Sequence, residues 1–261
     1  SLAGLFILYL ASSVFRKKSY FINGSVSVTS VDNTLEAIIN KVYSSNVEFS
    51  VREPYSYRNL LKIGIKSKII PDSVFYYAKE ARDIKHKKNK YFAVSKSMLP
   101  MLIDEKNKVN DPFINLIVKI SEKTGLYPIL LSRDPEDKVL ITIKKYIKES
   151  KICSGDNINF KEVQKIISQC NFLISGRYHH LIFGANTNTP LCFMGSTSHK
   201  VHGLSELLTG SPHQQVYDPT NIKMITDKII DTCITTPSIK WNPIELKKQF
   251  IKYINNEIIN Q

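Results

Sequence analysis

A chain of 261 residues, 43% of them apolar, can bury a substantial core and is long enough for two domains of ordinary size. Lysine and arginine outnumber aspartate and glutamate by 36 to 23, a net charge of +13, so the surface attracts anions without choosing among phosphorylated metabolites, nucleic acid and acidic lipid headgroups. The four cysteines are widely spaced and form no CxxC, which argues against a structural zinc and fits reduced thiols in a cytoplasmic protein.

The opening SLAGLFILYLASSVFRKK is shorter than a membrane-spanning helix and lacks the basic start of a signal peptide. It reads as a buried helix whose last turn carries Arg16, Lys17 and Lys18, where cations suit the dipole. These first residues look like the middle of a domain, so upstream sequence is expected to be absent. From there, apolar runs of strand length alternate with segments of helical period, the pattern of parallel sheets covered by helices on both faces.

Strands are predicted near 19–23, 47–51, 68–70, 91–95, 127–131, 152–154, 171–175 and 190–194. Helices are predicted over 32–45, 53–64, 111–125, 134–150, 159–170, 177–186 and 199–210, with a terminal amphipathic helix after Pro243. Asp32 or Asn33 suits an N-cap, Pro112 and Pro135 suit helix starts, and Gly64 and Gly125 suit helix ends. Between Asp72 and Tyr91 charge density rises and periodicity fades. This divides the chain into an incomplete N-terminal domain, residues 1–84, a C-terminal domain, 85–240, and a helix, 241–261, that either caps the second domain or crosses back to the first.

Chemistry concentrates where strands end, because helix N-termini at the carboxyl edge of a parallel sheet present unpaired N–H groups and a positive dipole end. NFLISGRYHHLIFGAN (171–186) carries Ser175 and Gly176 into Arg177, Tyr178 and His179. A guanidinium grips a carboxylate or phosphate through two hydrogen bonds, and an imidazole moves protons near neutral pH. His180, one step round the helix, is expected to point elsewhere. A second concentration, PLCFMGSTSHKVHGL (190–204), offers Ser196 in a hydroxyl-rich turn and Lys200 as a point charge, although such residues also serve as simple caps. In a third, Arg52 follows a strand and Asp72 follows Pro71. Composition alone reads Arg52 with Glu53 as a surface pair and Asp72 as a turn residue.

REPYSYRNLLKIGI, IPDSVF, LISGRYHHLIFGANTNTP and HKVHGLSELL occur in this order, and together they resemble the polysaccharide pyruvyl transferase family. The resemblance covers roughly residues 45–210. It implies a GT-B-like α/β fold of two Rossmann-like parallel-sheet domains facing a cleft, the N-terminal one truncated and on the acceptor side, the C-terminal one donor-binding. It further implies phosphoenolpyruvate as donor and a pyruvate ketal on a sugar of a cell-surface or capsular polysaccharide as product. The family's donor-binding Arg-Leu-His falls on Arg177, Tyr178 and His179, while Arg52 and Lys200 match its earlier arginine and later lysine. Arg177 and His179 are then the catalytic candidates. Arg52, Arg177, Tyr178, Lys200, Ser175, Gly176 and Ser196 form the substrate-binding set. No metal or other cofactor is expected. Where the family has Arg-Asp this chain has Arg52-Glu53, its glycine-rich segment is thinned to NGSVSV (23–28), and its early Gly-Asp turn has no counterpart.

Two other readings compete. A glycosyltransferase using a nucleotide sugar fits the same fold and the same basic strand ends, although no glutamate-rich C-terminal donor motif is present. A non-catalytic basic protein binding glycan or membrane fits the charge. No nucleic-acid motif appears, and nucleic acid is not an expected partner. The expected partners are phosphoenolpyruvate and a glycan or lipid-linked glycan. Clustered lysines would favour peripheral contact with anionic headgroups at the inner face of the membrane.

Overall fold

Short apolar runs bounded by turn residues become parallel strands in this chain. The computed structural model describes residues 7, 19–26, 47–78, 90–95, 112–132, 138–154, 159–196, 198–211, 216–218, 221–235 and 242–259. The opening segment apart from Ile7, the helix expected over 32–45 with its caps, Pro135 and the boundary expected at 84/85 lie outside the described residues. Two compact units emerge, Ser1–Tyr76 together with Glu245–Gln261, and Tyr77–Ile244.

The first unit holds three parallel strands in the order β1 (Ser19–Gly24), β2 (Val47–Val51), β3 (Lys68–Ile69). Alternate residues Val47, Phe49 and Val51 of β2 bury one face against Leu60 and Ile65, as the two-residue period of a strand requires. Leu60 lies on helix α1 (Pro54–Lys62), which begins with Pro54 and is followed by Gly64 at φ +77. The C-terminal helix also belongs to this unit for nearly all its length. Numbered α8 (Pro243–Ile254), it runs on into a π-helical turn, Asn255–Ile259, and places Glu257 3.0 Å from Lys68.

The second unit is a five-stranded parallel sheet: β4 (Tyr91–Ser95), β5 (Tyr127–Ser132), β6 (Lys151–Ser154), β7 (Leu173–Ser175) and β8 (Leu191–Phe193), in the spatial order β6-β5-β4-β7-β8. All eight strands begin and end within two residues of their predicted limits. Helices α2 (Pro112–Thr124), α3 (Lys138–Tyr146) and α7 (Ile222–Thr235) pack on one face, on Phe92, Val94, Leu130, Ile174 and Cys192. Sequence reading misses α7. Helices α4 (Phe160–Ser168) and α5 (Tyr178–Asn186) lie against each other, α6 (Lys200–Thr209) packs on α5, and Gly184 of α5 approaches Leu173 and Leu191 on the opposite face. With both faces covered, strands such as FLIS read as continuous apolar runs rather than as an alternation. Beyond β8, Tyr217 extends the pairing: its N–H donates to the Phe193 carbonyl at 2.9 Å and its carbonyl accepts from Gly195 at 2.7 Å.

Gly184 allows α5 to lie this close to the sheet. A Cβ there would stand 2.5 Å from Leu191 Cδ2 and 3.1 Å from Leu173 Cδ2, both buried. Gly184→Val is expected to cost about 1–3 kcal/mol through overpacking. A melting curve will show it as a midpoint lowered by about 2–4 °C for each kcal/mol.

Candidate functional site

Because the strands of the second unit are parallel, their carboxyl ends line one edge, and four of the five end in serine: Ser95, Ser132, Ser154 and Ser175. From β4 the chain builds β5 and β6 outward on one side, then returns to add β7 and β8 on the other. The order therefore reverses between β4 and β7, where Ser95 and Ser175 are register partners. Crossovers on the two sides of such a reversal diverge and leave a crevice above the strand ends.

The turn from β7 into α5 sits at that reversal. Ser175 is fully buried, and its Oγ accepts the Arg177 N–H at 3.0 Å, a local bond that sets the turn. Arg177 occupies the N-cap in extended conformation (φ −92, ψ 118), and its side chain makes no capping bond. The guanidinium, half-buried, is thus carried on the residue from which the positive end of α5 begins. Gly176 is buried, His179 is exposed, and the Tyr178 ring is buried and edge-on to His179, with centroids 5.7 Å apart. Tyr178 is thus largely buried beside the two candidates it was grouped with for substrate binding. On the neighbouring crossover, Lys200 is the first residue of α6 and half-exposed, while the Ser196 hydroxyl donates to the Ser198 carbonyl at 3.1 Å.

His180, as expected, has different surroundings from the exposed His179. Its Nδ1 lies 2.7 Å from Ser95 Oγ, a hydrogen bond that ties the start of α5 to the end of β4 across the reversal, and its ring stacks on Phe183 at 6.1 Å. Burial, then the charge of Arg177, then that of His179, push its pKa down to about 3. It is a neutral imidazole at physiological pH. His202, on α6, is also pulled down, by burial and then by His199, with Asp218 opposing.

Arg52 lies in the first unit. Its Nη1 is 2.8 Å from Asp72 Oδ2 and its Nε donates to Ser25 Oγ at 2.7 Å, so one guanidinium joins the segments after β1, β2 and β3. The pair is an internal one, only 14% and 6% exposed in its side chains. Glu53 is no surface partner of Arg52: fully buried, it is the N-cap of α1, accepting from the Ser56 N–H at 2.9 Å and from the Ser56 hydroxyl. Among the described residues, no group of three His, Cys, Asp or Glu is placed to hold a metal ion, and no helix is long and apolar enough to cross a membrane.

Two outcomes follow from these bonds. Asp72→Ala removes the carboxylate from a largely buried guanidinium and is expected to cost about 3 kcal/mol, read by urea denaturation. For His180, the unfolded chain binds a proton below about pH 6.5 that the folded chain refuses until about pH 3. Stability therefore falls as pH drops through that window, by up to about 1.4 kcal/mol per pH unit. His180→Asn should flatten that slope, measured by denaturation at a series of pH values.

A family described as polysaccharide pyruvyl transferase matches residues 1–198. No curated protein matches the chain. Among solved structures it is similar to TarM, with a TM-score of 0.52 and 13% identity over 89% of this chain and 47% of that one. It is also similar to the pneumococcal O-GlcNAc transferase GtfA in complex with UDP and GlcNAc (0.57, 12%, covering 99% and 55%). A third is the UDP-GlcNAc 2-epimerase from Methanocaldococcus jannaschii (0.57, 12%, covering 97% and 73%). The chain spans about half the length of the first two. At such identities the likeness concerns the fold alone, and that fold is the GT-B type, α/β with parallel sheets. Since the matching segment runs through the β7–α5 turn and into the crossover after β8, with Arg177 and His179 inside it, the chain belongs to the polysaccharide pyruvyl transferase family.

Proposed function

We propose that this protein transfers pyruvate from phosphoenolpyruvate to two hydroxyls of a sugar in a cell-surface polysaccharide, forming a cyclic ketal. The second unit is the donor side in this reading. The observation that carries it is the position of Arg177, a guanidinium at the N-terminus of α5 directly over the strand-order reversal. Phosphoenolpyruvate brings a carboxylate and a phosphate, so its site needs fixed positive charge. Arg177, the N-terminus of α5 and Lys200 at the start of α6 supply it from adjacent crossovers. Arg52, committed to Asp72, is better read as a structural residue of the first unit.

In the reaction a proton adds to the donor's methylene carbon, leaving a cation-like centre at the neighbouring carbon. One sugar hydroxyl adds there and loses its proton. The carbon–oxygen bond to phosphate then breaks, and a second hydroxyl closes the ring as inorganic phosphate leaves. The exposed His179 is the group suited to moving these protons, a contribution typically worth about 10²- to 10⁴-fold. His180 is not, because it stays neutral down to about pH 3; its part is to hold α5, and with it Arg177, over the crevice. Acceptance of a glycan or lipid-linked glycan, a cytoplasmic place of action and contact with anionic headgroups through surface lysines belong to the same proposal.

Phosphoenolpyruvate is expected to raise the melting temperature of the wild type, and phosphate release is expected with glycan acceptors. Arg177→Ala should abolish the thermal shift, whereas His179→Ala should keep the shift and stop release. Stabilisation by a nucleotide sugar in place of phosphoenolpyruvate would select a glycosyltransferase. Turnover retained in either variant would remove that residue from its role.

A further inference from the structure

We propose that Phe160 and Tyr77 form an open aromatic platform on which a pyranose ring of the acceptor stacks. Their ring centroids are 4.5 Å apart with planes tilted by 52°, and the two residues are 38% and 42% exposed. Scattered apolar residues on a surface are ordinary, but two aromatics in contact with each other and still open to water form a continuous apolar surface.

The platform is held in place from several directions. Phe160 opens α4 behind a complete capping box: Asn159 Oδ1 accepts from the Lys161 and Glu162 N–H groups at 3.0 and 3.1 Å, and Glu162 Oε2 accepts from Asn159 N–H at 3.0 Å. One turn along, the buried Gln164 donates from Nε2 to the Tyr77 carbonyl at 3.4 Å, fastening Tyr77 to the same helix. The buried Phe183 of α5 stacks with Phe160 at 6.4 Å and with His180 at 6.1 Å. An unbroken series of ring contacts thus leads from Ser95 at the strand-order reversal, through His180 and Phe183, to the open pair.

Position and chemistry select the occupant. Helix α4 starts at the carboxyl end of β6, on the edge of the sheet that also carries Arg177, and all these residues belong to the second unit. A pyranose presents one face of axial C–H bonds, which pack on aromatic rings while the equatorial hydroxyls stay in water. An anionic donor gains little from two neutral rings. The choice of a sugar rests on the pyruvyl-transfer reading, whereas the platform itself rests on the exposed pair.

Saturation-transfer NMR of the full chain with methyl β-galactopyranoside and methyl β-glucopyranoside tests the platform directly. Transfer to the C–H protons of one ring face is expected in the wild type. It should be roughly tenfold weaker in binding for Phe160→Ala and for Tyr77→Ala, and retained in Phe160→Trp, with the thermal shift by phosphoenolpyruvate unchanged in all three. Undiminished transfer in both alanine variants, or none in the wild type, overturns the platform. Sugar transfer that depends on Phe160 in a protein that phosphoenolpyruvate fails to stabilise would uphold the platform and reject the donor assigned above.

Discussion

The hydrogen bond between His180 and Ser95 is the constraint on which the site depends. A sheet whose strand order reverses has a structural weak point there, since β4 and β7 are neighbours in space but their crossovers leave in opposite directions. The imidazole closes that point from the first turn of α5. To do so it must sit in a dry place beside a guanidinium, and a charged imidazole would be penalised twice there, by lost hydration and by like charge. The protein resolves the conflict by keeping the ring neutral and reserving the positive charge for Arg177. Two adjacent histidines thereby acquire different properties, one a half-buried neutral bridge and the other exposed.

The same separation of structure from chemistry appears in the first unit. An arginine just past a strand and a Pro-Asp twenty residues on look like a charged site when read as motifs. In three dimensions they are one ion pair that joins three strand ends, with Glu53 capping the next helix beside it. A guanidinium facing a buried carboxylate at 2.8 Å makes a strong charge-assisted hydrogen bond that holds these strand ends together.

How far the sequence reveals this depends on the range of the interaction. Strands covered on both faces, such as β4, β7 and β8, are short, apolar and bounded by polar turns, and so are legible in sequence, as are the β7–α5 turn and its Arg177. Helix α7 is not among the expected elements, although Ile222, Ile225, Ile229 and Cys233 repeat at helical spacing. The His180–Ser95 bond was not legible: 85 positions separate the partners, and only the reversal of strand order brings them together. Arg52–Asp72 was hidden for the same reason, and so was the pairing of Tyr77 with Phe160.

The return of α8 to the first unit bears on how the chain acquires its structure. The second unit, residues 77–244, is one continuous stretch, and every strand pair in its sheet can form once that stretch exists. The first unit is discontinuous: Lys68 meets Glu257 only when the last residues have been made. During synthesis the larger unit can therefore condense while the smaller is still waiting for its closing helix. The smaller unit is thus assembled across the larger one in sequence, whereas the larger is a single stretch.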